Sequence, residues 1–327
     1  MPGLRGRRYL AATVTVGVVV VVASCQNPAQ SEPPVTPTPA PPPPVETTPT
    51  PSAAAQPPAS PTCGQIDCLL FDSAADAFAH VLATKPLVVA VGETHAQKGT
   101  EALTSTTHRF TENLLPLLAH QASDLVLELW VADGKCGRRE QEVAQQQKPV
   151  TETQSKGNQN EFLALGNKAE SLGIRPHVLR PTCEEYEAIV SAGDDAIVQM
   201  LEMIARLTTK LVDAILDRNQ RQGAERVVIT YGGIVHNDLV PRPGREKWSY
   251  GPALKSRVQG RYVEVDLIVP EYIKDAPPWT SLDWTKRFDR TVHADRARLL
   301  QPSPGSYVLV FPKWSASKAG GPAQPAR

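Results

Sequence analysis

Leu87-Val88-Val89-Ala90-Val91, running directly into Gly92-Glu93-Thr94-His95, is the stretch on which the reading of the fold turns. An unbroken apolar run of this length, without alternation, is the pattern of a strand buried on both faces, as in a parallel sheet covered by helices. Residues 125–127, 177–179 and 227–230 repeat it. Helical patterns over 72–82, 101–120, 161–172 and 184–222 separate these runs, and the last is expected to break near Ala192-Gly193, where Asp194 can cap a second helix. Alternating strands and helices predict a single α/β domain: a mainly parallel sheet with helices on both faces. Met200, Met203, Ile204, Leu207, Leu211, Ile215 and Leu216 form an apolar stripe at helical spacing and read as core. Residues 261–269 instead alternate polar and apolar side chains. They read as a half-exposed strand, at an edge or antiparallel, and 306–311 as a last strand.

In open α/β sheets ligands collect at the carboxyl ends of the strands, where the loops converge. The first strand delivers Glu93 and His95 there, the second Glu128, and the fourth Tyr231-Gly232-Gly233 followed by His236. Glu93 and His95, at i and i+2 on an extended segment, face the same side. Glu128 stands between Leu127 and Leu129, where an unpartnered carboxylate would be costly. Gly92, Gly232 and Gly233 let a bound group approach the backbone closely. Two carboxylates and two imidazoles suit a divalent ion such as Mn, Fe, Co or Zn with an open position for water or substrate. Glu93, His95, Glu128 and His236 are therefore the expected ligands. Without a metal the same set serves acid and base chemistry. No GxSxG elbow, Walker loop, GxGxxG or HExxH is present, so the motifs leave the reaction type open.

The strings Val-Val-Ala-Val-Gly92-Glu93-Thr94-His95 and Leu-Val-Leu-Glu128-Leu, and the Gly-Gly-x-x-His236 turn, resemble the haem-binding uptake and Tiki superfamily, most closely its ChaN-like branch. The likeness runs over roughly residues 87–269. It implies an α/β fold with a Glu and His cluster at the strand ends. It also implies one of several functions: a haem-binding lipoprotein, a metal-dependent protease of the Tiki and TraB kind, or an esterase. Erythromycin esterases carry one more residue between Glu and His. A haem ligand is sought among Tyr231, His236 and His108. Three functions follow as expectations: binding of haem iron or a divalent metal, metal-dependent hydrolysis of a peptide or ester, and non-catalytic display of an interaction surface. Whether the chain is an enzyme stays open.

The rest of the 327 residues are of another material. Residues 1–24 place Arg5, Arg7 and Arg8 before an apolar run that is too short for a span of about 20 residues and has the layout of an export signal. Its end, Val22-Ala23-Ser24-Cys25, resembles the lipobox of bacterial lipoproteins, which makes Cys25 the lipidated first residue and the membrane a partner. Gln26 lacks the Asp of the familiar inner-membrane retention signal, so the outer membrane is the expected site, facing either the periplasm or the surface. Residues 25–62 form a tether in which 14 of the chain's 31 prolines fall. As polyproline II it would reach up to roughly 100 Å from the bilayer. The folded domain is expected over 63–313, with a flexible tail over 314–327. Thirty-four basic and 34 acidic residues balance, which argues against capture of nucleic acid by bulk charge. Four cysteines remain in an oxidising setting. The expected pairs are Cys63 with Cys68, and Cys136 with Cys183.

Overall fold

The computed structural model describes residues 61–277 and 279–313, together with an isolated antiparallel pairing of Val16 and Gly17 against Val131 and Trp130. Residues 25–60 of the tether, with the lipidation site at Cys25, and the tail beyond Lys313 lie outside the described residues, whereas Thr62, given to the tether, pairs with Asp67.

Eight strands from Leu69 onward form one sheet. In chain order they are β1 (Leu69–Phe71), β2 (Val88–Glu93), β3 (Ala122–Val131), β4 (Arg175–Leu179), β5 (Val227–Gly233), β6 (Tyr262–Ile268), β7 (Ala297–Ser303) and β8 (Ser306–Val310). Across the sheet the order is β4-β3-β5-β2-β6-β8-β7-β1. The first six of these run parallel, β7 is antiparallel to β8, and β1 is antiparallel to β7. All six residues of β2 are buried, as its unbroken apolar run requires, because helices cover the sheet on both sides.

One face carries Val89, Val91, Leu125, Leu127, Ile229 and Tyr231. It packs against α1 (Ala74–Leu82), α4 (Asn158–Ser171) and the segment built from α2 (Thr106–Arg109), a π turn at Phe110–Leu114 and a 3-10 turn at Leu115–Leu118. The other face carries Val88, Ala90, Val126 and Val228, under the 26-residue α6 (Ala196–Arg221) and α7 (Gly251–Arg257). Met200, Met203, Ile204, Ile215 and Leu216 of α6 are buried in this second layer, as the helical stripe requires. A capping box at Thr182 and Glu185 starts α5 (Cys183–Ser191), and α3 (Arg138–Thr151) lies beside it.

Three local expectations need correction. The strand read from 177–179 as buried on both faces, β4, is an edge strand paired only with β3, with Arg175 exposed and Pro176, His177 and Val178 half-buried. The helix expected over 101–120 begins only at Thr106 and passes through π and 3-10 turns, with Pro116 in the second of them. The alternating segment is neither an edge nor antiparallel: β6 is central, fully buried, and parallel to both β2 and β8. Its polar residues, Glu264 and Asp266, face the wall of a cavity rather than bulk water. The two disulfides pair Cys63 with Cys68 and Cys136 with Cys183.

Candidate functional site

The parallel strands bring their carboxyl ends to one edge, and there the four expected residues form two pairs. Glu93, the last residue of β2, points into the α4 side of the sheet. His95 Nδ1 meets Glu93 Oε1, while Oε2 of the same carboxylate accepts from Thr107 Oγ1 at 2.8 Å and from the Tyr231 hydroxyl at 2.9 Å. Phe110 and Phe162 pack on the Tyr231 ring. Both Glu93 oxygens are thereby engaged inside the protein. Glu93 is a partner that orients His95, not an open ligand, in the way carboxylates hold the far nitrogen of metal-bound or catalytic histidines.

The second pair lies toward α6. Glu128 Oε2 accepts the backbone N–H of Gly233 at 2.6 Å, which turns Oε1 toward His236 Nε2 at 3.4 Å. The other nitrogen, His236 Nδ1, is 2.7 Å from the Trp248 carbonyl. A carbonyl only accepts, so Nδ1 carries the proton. In the neutral ring Nε2 is then a lone pair facing a carboxylate oxygen.

Glycines make room for this. Gly92 is paired with Gly232 on one side and Asp266 on the other, and Leu127 with Tyr231, which puts Glu128 alongside Gly232. A Cβ on Gly232 would overlap the Glu128 carboxylate, and one on Gly92 would fall on Asp266 Oδ1 and 2.7 Å from the Asn237 amide. Glu128 thus leans over one glycine while Asp266 and Asn237 lean over its neighbour.

Three ligand-type atoms in the cluster are buried and make no hydrogen bond: His95 Nε2, Glu128 Oε1 and His236 Nε2. Buried polar atoms are nearly always satisfied, and although others such as those of Tyr186, Arg226 and Arg298 lie elsewhere, these three are ligand-type atoms at one sheet edge where a group could bind. Burial pulls the His95 pKa down, but the Glu93 charge and hydrogen bond, joined by the Glu128 charge, outweigh it and leave the ring more basic than usual. Two ligands about 2.1 Å from one ion at a tetrahedral angle stand about 3.4 Å apart, which is the spacing of Glu128 Oε1 and His236 Nε2. Among the described residues, however, no three His, Cys, Asp or Glu groups are gathered closely enough to hold an ion as they stand. The ready element is the Glu128 and His236 pair.

Tyr231 is sealed, its hydroxyl given to Glu93 and its pKa pushed well up by burial and then by that carboxylate. His108 is exposed on α2 and does not line the cavity beside the cluster.

That cavity, of about 610 Å³, has Glu93 and His95 at its wall and extends over β6 and β8 to Trp279 and Trp284. Sequence reading missed its floor. Glu264 and Asp266, at i and i+2 of β6, both face it, with Asp238 beside them. Burial drives the pKa of all three up, and Asp266 adds to the rise at Glu264. The polar alternation of 261–269 was the available signal. No family model matches the chain, and comparisons with curated proteins and with solved structures found no match.

Proposed function

We propose that the chain is an exported, lipid-anchored envelope protein that binds a divalent cation through Glu128 and His236, with His95 at the wall of the adjoining cavity, and hydrolyses a substrate entering by that cavity. One observation carries this reading: three buried ligand atoms make no hydrogen bond, two of them facing each other at 3.4 Å, while the opposite atom of each side chain is held in place. That division, one atom fixed and the other free, is how metal sites orient their ligands. A bound divalent ion supplies Lewis acidity and a water acidic enough to ionise near neutrality.

The protein's own groups have separate tasks. Glu93, tied by Thr107 and Tyr231, holds the His95 ring. The Trp248 carbonyl keeps the proton of His236 on Nδ1 and leaves Nε2 to bind. Gly232 leaves the space that Glu128 fills. Lipid anchoring rests on the sequence around Cys25, and the two disulfides suit an oxidising compartment.

Elemental analysis of the exported protein tests the reading. Near-stoichiometric Mn, Fe, Co or Zn is expected in the native chain and a loss of most of it in Glu128→Gln and His236→Ala. Equal trace metal in all three contradicts it. A second reading, haem binding, is favoured by the size of the cavity, its two tryptophans and the presence of His95 at its wall. It requires a Soret band on adding hemin, diminished in His95→Ala.

A further inference from the structure

We infer that the cavity beside the cluster seats an ammonium-bearing ligand, its cationic group held by Glu264 and Asp266. The inference takes this cavity as the entry of the substrate proposed above and rests on that reading to this extent, since it assigns the substrate's charge.

Glu264 and Asp266 are only 6% and 7% exposed, yet both border an open volume of about 610 Å³. Each has hydrogen bonds: Glu264 Oε2 accepts from the Leu239 N–H at 2.9 Å, the Glu264 carboxylate also bonds Ser306, and Asp266 Oδ1 accepts from Asn237 Nδ2 at 3.0 Å. Neither has a basic side chain paired with it among the described residues. Ionising two neighbouring buried carboxyl groups without a counter-charge is costly, so they hold their protons more tightly, and a cation supplied from outside lets them ionise.

A separate observation points the same way. Asn237 is fully buried and its Nδ2 is committed to the Ala90 carbonyl and Asp266, which fixes the amide's orientation. Its Oδ1 accepts nothing and lies with Asp266 Oδ1 over Gly92. Asn237 lies behind Asp266 and is not itself among the cavity walls, so its open acceptor adds to the shortage of donors around that acid. The volume exceeds what a single ion needs and falls in the range of small-molecule sites. Trp279 and Trp284 are among its walls, and aromatic rings are what organic cations are often held against. Of the basic groups lining the cavity, Lys274 and Arg287 are exposed, Arg245 lies over the Trp248 ring at 5.0 Å, and Arg242 donates to Ser281 Oγ at 2.6 Å. The charges of Arg242 and Arg245 act on Asp238, which leaves Glu264 and Asp266 to the ligand.

Calorimetric titration of the full exported chain with hexylamine, 1-hexanol and hexanoate, before and after treatment with EDTA, tests the assignment. Hexylamine should bind at least tenfold more tightly than hexanol in both preparations, and hexanoate most weakly. A double substitution, Glu264→Gln with Asp266→Asn, should remove that preference while circular dichroism and melting remain native. Equal binding of hexylamine and hexanol overturns the inference, as does a folded double variant that keeps the preference. If the double variant does not fold, the ranking of the three ligands on the native chain decides alone. Absence of metal in the native chain would sink the proposed hydrolysis without touching the amine result, so the two failures are distinguishable.

Discussion

At the scale of single residues the site depends on space as much as on charge. Gly232 is the sharpest case, because any Cβ there overlaps the Glu128 carboxylate. Gly232→Ala should displace Glu128, abolish most metal binding and cost about 1–3 kcal/mol in urea unfolding, the usual range for overpacking. Unchanged metal content with unchanged stability would show that Glu128 has room the structure does not give it. Glu93 acts on His95 through charge and hydrogen bonding. In the metal-free protein the His95 ring should titrate above the ordinary 6.5, and Glu93→Gln should lower its pKa; an NMR titration of the ring reads both. Glu93, His95, Glu128 and His236 were visible in the sequence because each lies at or a few residues beyond the carboxyl end of an apolar run. Their division into an acid that holds His95 and side chains that keep one buried atom free of hydrogen bonds was not legible, since it depends on Thr107, Tyr231 and the Trp248 carbonyl, which no spacing ties to the cluster.

Among elements, β3 is the one most firmly fixed by polar contacts, and it carries Glu128. Asp124 near its start is fully buried, 2.7 Å from His177 Nε2 of β4, and bridged by both terminal nitrogens of Arg218 on α6. Burial alone would raise the Asp124 pKa. The hydrogen bonds from His177, Arg218 and Ser123, and then the Arg218 charge, overcome that and hold it well below the usual carboxylate range. A lowered folded-state pKa gives stability that is complete above the unfolded value near 3.9 and is lost as pH falls from there toward the folded value. Acid unfolding followed by circular dichroism should therefore be steep below about pH 4 in the native chain and shallower in Asp124→Asn. The substitution should also cost about 3 kcal/mol at neutral pH by leaving Arg218 unpaired. An identical acid transition in the variant would remove Asp124 from this role. Strands buried on both faces were readable from their apolar runs. β6 was not, because its alternating pattern has the same form whether the polar face meets water or a buried cavity. The helix expected from residue 101 failed where Pro116 and the π turn interrupt a regular ladder.

For the whole molecule, one sheet between two helical layers positions everything the proposed function uses, and the Cys136 to Cys183 disulfide ties the loop after β3 to the start of α5. Their separation of 47 residues closes a loop for which chain entropy gives about 4 kcal/mol of stabilisation. Replacing both cysteines by serine should lower the melting temperature by several degrees, and an unchanged melt would leave the bridge without a stabilising role. Metal content is the most direct test of the central claim, that Glu128 and His236 leave their free atoms for a shared cation. The native exported chain should hold a divalent ion near stoichiometry and release it to a chelator, and Glu128→Gln should retain little. A folded native chain free of divalent metal, and unable to take it up when supplied, would contradict the account.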